Sequence, residues 1–404
     1  MQDSSIRPGI GAIEDAPVVN YVQQLFEKAV TLKASDLHFE PYEHRYRVRM
    51  RIDGELRETD TPPMALKDRL SSRIKVLSRL DIAEKRLPQD GRMKLKLPTG
   101  RELDLRVSTL PTLFGEKLVV RVLDSAQAQL DLTQLGYEPE DLARFTEAIH
   151  KPHGMVLVTG PTGSGKTQSL YASLNLLNTP EVNIATVEDP CEIQLAGINQ
   201  VNVQDKPGLT FAVALRAFLR QDPDILMVGE VRDLETANIA IQAAQTGHLV
   251  LSTLHTNDAP GTLTRLRNMG IAPYNIAASV TLITAQRLVR CLCSHCKQAQ
   301  DLPSKVLIEA GWPRTPILSE RVRVFVPAGC AHCHKGFSGR TGIFQVMPVS
   351  PAMQDLVLRD QGSQALALQA QAEGIVTLRL AGLRKVLQGI TSLDEVLAAT
   401  RDGA

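Results

Sequence analysis

Eight residues near the middle of the chain have types and spacing that could support specific chemistry. The segment GPTGSGKT begins at residue 160, and its glycines leave backbone N–H groups able to face phosphate oxygens. Its lysine can reach the β- and γ-phosphates and its threonine hydroxyl can bind Mg²⁺; an ordinary flexible turn needs neither. The predicted ATP-binding residues are Gly160, Pro161, Thr162, Gly163, Ser164, Gly165, Lys166 and Thr167, with Thr167 as the Mg²⁺ ligand.

The residues on either side of this segment predict the elements that position it. Upstream lies the valine-rich apolar run MVLVT, and downstream QSLYASLNLL places Leu170, Leu174 and Leu177 at helical spacing. A phosphate-binding loop has its function only between a buried strand and a helix. The sequence therefore predicts strand, loop and helix in that order.

Three further apolar runs end, like MVLVT, in residues that can do chemistry. NIATV leads to Glu188 and Asp189, ILMVG leads to Glu230, and LVLSTL leads to His255. In a parallel α/β sheet all strands deliver their C-terminal ends to one edge, where ligands bind. A single strand often ends in a polar residue, but four such runs in one domain predict that these side chains converge on the phosphates.

Phosphoryl transfer to water sets the roles of these acids. The reaction needs Mg²⁺, cations near the γ-phosphate, and a carboxylate that orients the attacking water. Glu230 is the predicted carboxylate. Gly229 stands where most P-loop ATPases carry an aspartate. Metal binding is therefore left to Thr167 and to acids that act through water, with Glu188 or Glu192 as candidates.

Two CxxC pairs, CSHC and CAHC, are separated by 33 residues and predict a metal site. Two tight pairs of thiolates are what a closed tetrahedral zinc site requires. His295 or His332 replacing one thiolate, and a redox-active CxxC, are the alternatives. The long intervening segment predicts a loop, bearing Trp312, that bulges away from the site. The predicted Zn²⁺ ligands are Cys293, Cys296, Cys330 and Cys333.

The N-terminal third has a different pattern. PVVNYVQQLFEKAV predicts an amphipathic helix, and residues 35–122 alternate in short segments broken by DG and TG turns, which predicts β-hairpins in an α+β domain. Residues 41–121 contain 19 basic and 12 acidic residues. The polar face of an antiparallel sheet is one explanation of this excess.

The patterns divide the chain into two domains. Residues 1–125 form the α+β domain, residues 126–135 a linker, and residues 136–404 the α/β domain, which contains a zinc-binding subdomain at 290–345 and helices from about residue 345 to the C-terminus.

Composition narrows the function classes. The chain has 404 residues, a net charge of +1 and 4% aromatic residues, which disfavours a nucleic-acid binder. No apolar run reaches the about 18 residues of a membrane span, and the N-terminus has no secretory signal pattern. We therefore expect a cytoplasmic protein.

The motifs together resemble those of the secretion ATPase superfamily. GPTGSGKT, TVEDPCE, LRQDPDILMVGEVRD and TGHLVLSTLHTNDA resemble its Walker A, Asp box, Walker B and His box, in order and spacing. ASDLHFEP, RMRIDGELR, LPQDGR and LRVSTLPTLFGEK resemble its first conserved domain. The resemblance covers residues 15–400 and is greatest to the type IV pilus extension and type II secretion branches; FQVMPVS and LGYEPED favour pilus extension.

This resemblance implies a Mg-dependent ATP hydrolase that works as a homohexamer at the inner face of the inner membrane, with a platform protein as its partner and no nucleic acid. It implies an α/β fold: a RecA-like P-loop NTPase core preceded by a smaller α+β, PAS-like domain, with a zinc-binding subdomain near the C-terminus. The alternative within the family is a type II secretion ATPase. A nucleic-acid translocase and a scaffold that binds ATP without hydrolysing it are the rivals from other classes.

The resemblance also suggests a use for the basic excess. Arg49 and Arg51 in RMRIDG, Arg92 in QDGR and Arg106 in LRVS lie in motifs that resemble those whose arginines face the nucleotide in this family. We expect the first domain to close over ATP, with Arg51 and Arg92 as the leading candidates. Family members usually carry a further N-terminal domain, so we expect this chain to be either a shortened or a naturally short form, and we do not assume regulation through that domain.

Overall fold

A computed structural model describes most of the chain and divides it into two compact units, residues 1–125 and 126–404. The first five residues of the predicted linker lie outside the described residues. Among the described residues, no helix is both long and apolar enough to span a membrane. The described residues are 16–97, 100, 102–123, 131–204, 206–314 and 320–401.

In its described residues, the first unit contains a six-stranded sheet and two α-helices. Its strands have the order β3-β2-β1-β6-β5-β4, and every neighbouring pair is antiparallel. The predicted DG turn is confirmed: Asp53 and Gly54 have φ angles of 52° and 89° and join two paired strands, as expected for a two-residue hairpin. The elements are α1 (Ala16–Thr31), β1 (Asp36–Pro41), β2 (Tyr46–Ile52), β3 (Glu55–Asp60), α2 (Lys67–Leu77), β4 (Gln89–Lys96), β5 (Glu102–Thr112) and β6 (Gly115–Leu123).

The core of this unit explains its sequence pattern. The apolar stripe predicted for the first helix is confirmed, because Val18, Val22 and Phe26 of α1 are buried against the sheet. Alternate strand residues such as Leu37 and Leu118 join them in one cluster. Most of the residues between them are polar or charged, with Val119 an exception, so the sheet has one apolar face and one mainly polar face.

The second unit contains a seven-stranded sheet with helices on both faces, which confirms a mixed α/β fold. Its strands are ordered β15-β12-β7-β11-β10-β8-β9, and all neighbours are parallel except β15 and β12. A separate pair, β13 and β14, is antiparallel. The strands are β7 (Gly154–Thr159), β8 (Ile184–Glu188), β9 (Asn199–Asn202), β10 (Ile225–Val228), β11 (Leu249–Leu254), β12 (Val280–Leu292), β13 (Gln298–Pro303), β14 (Arg321–Val326) and β15 (Phe337–Pro348).

The helices of the second unit cover the sheet because its strands are apolar on both faces. Val156 and Val158 of β7 pack with the helices on one side, while Met155 and Leu157 pack with those on the other. The helices are α3 (Pro139–Ile149), α4 (Lys166–Leu177), α5 (Phe211–Phe218), α6 (Leu234–Gln245), α7 (Ala259–Asn268), α8 (Pro273–Ser279), α9 (Ser304–Glu309), α10 (Pro351–Leu358), α11 (Ser363–Ala372), α12 (Leu378–Leu387) and α13 (Leu393–Ala399).

Two expectations about the C-terminal part were wrong in detail. The segment from residue 345 begins as strand, since β15 continues to Pro348 before the helices start. The segment between the two CxxC pairs does not bulge away around Trp312. It forms β13, α9 and β14, and Trp312 packs against a cluster that includes Leu307 and Leu383. The partly buried indole of Trp312 therefore packs with this cluster instead of projecting from the surface.

Candidate functional site

The segment GPTGSGKT lies between β7 and α4, as predicted. β7 ends at Thr159 and α4 begins at Lys166, so the loop leads into the N-terminus of a helix, where backbone N–H groups and the helix dipole favour anions. Gly165 precedes the helix with φ 90°, a conformation that side chains rarely adopt. A Cβ on Gly160 would lie 2.5 Å from the backbone oxygen of Gln286, so only glycine fits there.

Lys166 lies over the loop. Its Nζ donates to the carbonyl oxygens of Gly160, at 2.8 Å, and Pro161, at 3.1 Å. Burial lowers the pKa of Lys166 to about 8; the nearby Glu230 carboxylate acts in the opposite direction and Arg287 adds to the lowering. A partly buried ammonium that gains by pairing with negative charge is suited to phosphate.

Glu230 follows β10 and contacts the residue that follows the neighbouring strand. Its Oε2 lies 3.5 Å from Nε2 of His255, and its Oε1 pairs with Arg232. The carboxylate is only 17% exposed, whereas the His255 side chain is 52% exposed. Because Arg232 contacts one oxygen and His255 the other, the carboxylate is held in one orientation at the edge of the sheet.

Close packing explains why glycine occupies position 229, before Glu230. A Cβ on Gly229 would lie 3.3 Å from the oxygen of Val187 and 3.4 Å from Cα of Glu188, so the chain after β10 passes close to the end of β8. The side chain of Thr253 donates to the Gly229 oxygen at 2.7 Å and fixes the segment from the other side. An aspartate here would need the end of β8 to shift by a few tenths of an ångström.

Glu188, predicted to act near the metal, is buried and hydrogen-bonded on both oxygens. Its Oε2 accepts from the hydroxyl of Tyr171, and its Oε1 accepts from Thr186 at 2.7 Å and Gln200 at 3.2 Å. The charge on Glu188, together with burial, which is the larger cause, raises the pKa of Tyr171. These bonds connect the end of β8 with α4 and β9. Glu192, the other candidate for this role, donates through its backbone N–H to Tyr171 at 3.1 Å.

Two residues that the sequence did not single out lie at the same edge, on β12. Gln286 is 2% exposed and bonds to Ser164 and Ser169. Arg287 is 8% exposed, and its guanidinium donates to the backbone and side-chain oxygens of Asn257, two residues after His255. Burial lowers the pKa of Arg287. The only signal in the sequence was a pair of polar residues inside an apolar run.

The arginines predicted in the first unit share the polar face of its sheet. Register pairs place Arg92 beside Arg106, Arg106 beside Arg121, Arg121 beside Asp36, and Asp36 beside Arg51. We call these five residues the arginine row. Asp36 accepts from Nε of Arg121 at 3.1 Å and lies 3.7 Å from Nε of Arg51, whereas Arg92 is exposed and makes no ion pair within the described part of the chain.

Arg49 lies on the same face but has a different environment. Its guanidinium makes two bonds of 2.8 Å to the carboxylate of Glu40, which also contacts Arg47 and Lys117. Burial alone would raise the pKa of Glu40, but the bonds from Arg49, Lys117 and Arg47 lower it to about 2. Arg49 is therefore committed to a buried acid within its own sheet.

The four predicted zinc ligands lie together and form a group able to hold a metal ion. Their sulfur atoms all lie within 4.8 Å of one another. Sγ of Cys293 is 3.8 Å from Sγ of Cys330, and Sγ of Cys296 is 3.7 Å from Sγ of Cys333. Four ligands about 2.3 Å from a tetrahedral zinc would lie about 3.8 Å apart, so the sulfurs fit this ion. The rings of His295 and His332 pack on each other, 4.6 Å apart.

Comparison with known proteins agrees with this geometry. Residues 12–398 match the family described as Type II/IV secretion system protein. The chain is 56% identical over 389 residues to a type IV pilus assembly ATPase PilB of Acinetobacter baylyi, covering 96% of this chain and 67% of the relative. It is 48% identical over 391 residues to a type II secretion system protein E of Pseudomonas aeruginosa, covering 96% and 76%.

A solved structure extends the comparison to the fold. The Legionella pneumophila ATPase DotB superposes with a TM-score of 0.69 at 19% identity, covering 94% of this chain and 95% of DotB. At this identity the match shows a shared fold. The family match, by contrast, spans nearly the whole chain and includes every motif described above. The chain therefore belongs to the type II/IV secretion system protein family.

Proposed function

We propose that the chain is the ATP-hydrolysing motor of a type IV pilus assembly machine. The observation that carries the proposal is the GPTGSGKT loop between β7 and α4, with Lys166 over the loop and Glu230 at the same edge of the sheet. The identity of 56% to a type IV pilus assembly ATPase supports the choice of machine.

The loop would bind the phosphates of ATP. Hydrogen bonds to the carbonyls of Gly160 and Pro161 hold the ammonium of Lys166 at the loop. When ATP binds, Lys166 would exchange these bonds for bonds to phosphate oxygens. The exposed hydroxyl of Thr167, at the start of α4, would bind Mg²⁺. When bound, Mg²⁺ neutralises charge on the β- and γ-phosphates.

Glu230 would orient the attacking water. A carboxylate for this role must point in a fixed direction, and the contacts with Arg232 and His255 supply that constraint. Glu188 would support the site indirectly. Both of its carboxylate oxygens accept hydrogen bonds, and these bonds fix the end of β8 beside Gly229.

The fold would be a RecA-like core, residues 136–404, joined through a linker at 126–135 to a PAS-like domain, residues 1–125. We propose that the arginine row of the first domain closes over ATP and supplies cations to the γ-phosphate, a contribution that can be worth 10³–10⁵ in rate. Arg51 and Arg92 remain the leading candidates. The exposure of Arg92 favours this role. Among the four arginines predicted from the sequence, Arg49 is the weakest candidate, because its guanidinium is hydrogen-bonded to Glu40.

The four cysteines would hold a structural Zn²⁺. The spacing of their sulfurs fits a closed tetrahedral site, which leaves no open position for chemistry. The ion would join the end of β12 to the start of β15 and so stabilise the zinc-binding subdomain at 290–345.

The motor would work as a homohexamer at the inner face of the inner membrane, cytoplasmic and peripheral through a platform protein. The near-zero net charge supports a protein partner rather than nucleic acid. The second candidate is a type II secretion ATPase, favoured by the identity of 48% to a type II secretion system protein E.

Two experiments test this proposal. The purified chain should release phosphate from ATP over many turnovers with Mg²⁺, and added DNA should leave the rate unchanged. In a strain that lacks its pilus extension ATPase, a version of that ATPase whose matching segment is replaced by this chain should restore pili. The same replacement in a type II secretion ATPase should not restore secretion in a strain that lacks that ATPase. Restored secretion without pili would favour the second candidate, and no turnover would contradict both.

A further inference from the structure

Gln286 is a buried polar residue whose two side-chain hydrogen bonds reach the phosphate loop and the helix that follows it. It lies on β12 directly after Ala285, which pairs with Thr159, the last residue of β7. Only 2% of its surface is exposed. A buried amide is stable only when its N–H and C=O groups are hydrogen-bonded, so the residues that bond to this side chain indicate its role.

The side chain bonds to two points on either side of the start of α4. Its Nε2 donates to the backbone oxygen of Ser164 at 2.9 Å, and its Oε1 accepts from the hydroxyl of Ser169 at 2.9 Å. The same Nε2 would lie 3.2 Å from a Cβ placed on Gly165. One amide therefore spans the left-handed turn through which the loop enters the helix.

The backbone of Gln286 constrains the other end of the loop. Its carbonyl oxygen lies where a Cβ on Gly160 would approach to 2.5 Å, so it packs closely against the first residue of the loop. Gln286 thus touches the loop at Gly160 and again at Ser164. These two contacts bracket the residues whose N–H groups would face phosphate.

The bond to Ser164 has a consequence for the direction of the next N–H group. In a trans peptide the C=O and N–H point in opposite directions, so fixing the Ser164 oxygen toward Gln286 fixes the Gly165 N–H away from it. Glycine at this position would otherwise permit rotation of the peptide. A loop held in one conformation before ligand arrives loses less entropy on binding.

We propose that Gln286 is a positioning residue that holds the phosphate loop in its ATP-binding conformation, so that it determines nucleotide affinity more than the chemical step. This inference rests on the proposed function, since it assigns Gln286 to the same nucleotide site. Gln286 acts through the loop backbone and does not contact the reacting atoms.

The test compares the full-length wild type with Gln286→Leu, which keeps the size of the side chain but removes both bonds. Titration with a fluorescent ATP analogue should show a Kd raised about tenfold, while kcat at saturating ATP stays within about threefold of wild type. The matched control is Gln345→Leu. Gln345 is also buried, on the neighbouring strand β15, but it accepts from the backbone of Ala259 on α7.

A second variant keeps the proposal testable even if Gln286→Leu does not fold. In Gln286→Glu the side chain can still accept from Ser169, but it can donate to Ser164 only when protonated. Its affinity relative to wild type should therefore fall as pH rises, measured below pH 8, where Lys166 keeps its charge. Loss of affinity from a general packing defect would show no such pH profile.

The outcomes separate the two proposals. A wild-type chain that binds no ATP would contradict the proposed function. A wild-type chain that binds and hydrolyses ATP, with Gln286→Leu of unchanged Kd or with Gln345→Leu equally impaired, would overturn the role of Gln286 alone. Gln286→Glu with the same relative affinity at every pH would also overturn it.

Discussion

Nε2 of His255 lies 3.5 Å from Oε2 of Glu230, so the residue that follows β11 contacts the second residue after β10. The two strands are parallel neighbours, and their C-terminal ends meet at one edge of the sheet. Arg232 holds the other oxygen of the same carboxylate. A carboxylate fixed in this way can direct a water molecule, while one free to rotate cannot.

Removing His255 should therefore lower the rate without weakening ATP binding. His255→Ala leaves Glu230 held on one side only, and loss of one positioning contact of about 1–1.5 kcal/mol corresponds to about a tenfold fall in kcat. Steady-state phosphate release and nucleotide titration measure the two quantities. His153→Ala, an exposed residue at the opposite end of β7, should have the rate of wild type. Equal kcat in both variants would remove His255 from this role.

The lowered pKa of Lys166 predicts how ATP affinity depends on pH. Because burial brings this pKa down to about 8 in the free protein, Lys166 is charged below that pH and loses its proton above it. Binding to phosphate needs the ammonium form, so apparent affinity should fall by up to about tenfold per pH unit above about pH 8. Calorimetry between about pH 7 and 9.5 checks this.

Lys166→Arg provides the control for this pH dependence, because a guanidinium keeps its charge throughout the range. Its affinity, whatever its value at pH 7, should not change up to about pH 9.5. Wild-type affinity that is equally constant would mean that Lys166 stays protonated over the whole range.

Arg51 and Arg92 should differ from Arg49 when each is changed to alanine. Arg51→Ala and Arg92→Ala should lower kcat at least about tenfold, with ATP binding and oligomer mass unchanged, if the arginine row supplies charge to the γ-phosphate. Arg49→Ala should instead destabilise the first unit by about 1–2 kcal/mol, because it removes two charge-assisted bonds from the buried Glu40. Enzyme kinetics and denaturant unfolding separate these effects, and normal rates in both Arg51 and Arg92 variants would mean that the basic face is only solvated.

The cysteine group should hold about one Zn²⁺ per chain in protein purified without added zinc. Cys330→Ser should lose the ion and destabilise the surrounding C-terminal region more than the phosphate loop, as hydrogen exchange can show, because structural zinc contributes folding energy. Cys291→Ser, outside the group, should keep it. Sub-stoichiometric zinc with intact folding would contradict a structural site.

The sequence predicted which side chains meet at the sheet edge where a strand end carried both a buried run and a polar residue. Glu230 and His255 could be expected to meet because parallel strands share an edge. By contrast, β12 carries none of the motifs and is buried on both faces along most of its length, so its apolar run has no alternation that distinguishes strand from helix. The contacts of Gln286 could not be predicted because they depend on which strand lies beside β7.

Long-range contacts explain the remaining differences. The length of the segment between the cysteine pairs suggested a protruding loop, but Trp312 packs against a cluster to which α12, about 70 residues later in the chain, contributes Leu383. The difference between Arg49 and Arg92 arises instead from pairing between neighbouring strands. The register of β1 and β2 places Glu40 opposite Arg47 and within hydrogen-bond reach of Arg49, and no motif in the sequence specifies that contact.

The proposed hydrolysis depends on Glu230 to orient the attacking water, and Glu230→Gln tests this role. The amide keeps the size of the side chain but cannot orient water as a carboxylate does, so we expect unchanged ATP affinity and a kcat reduced by about two orders of magnitude or more. Lys166→Ala, measured alongside, should lose ATP binding as well. Single-turnover phosphate release from bound ATP is the measurement: near-zero release by Glu230→Gln agrees with the account, and a rate close to that of wild type would contradict it.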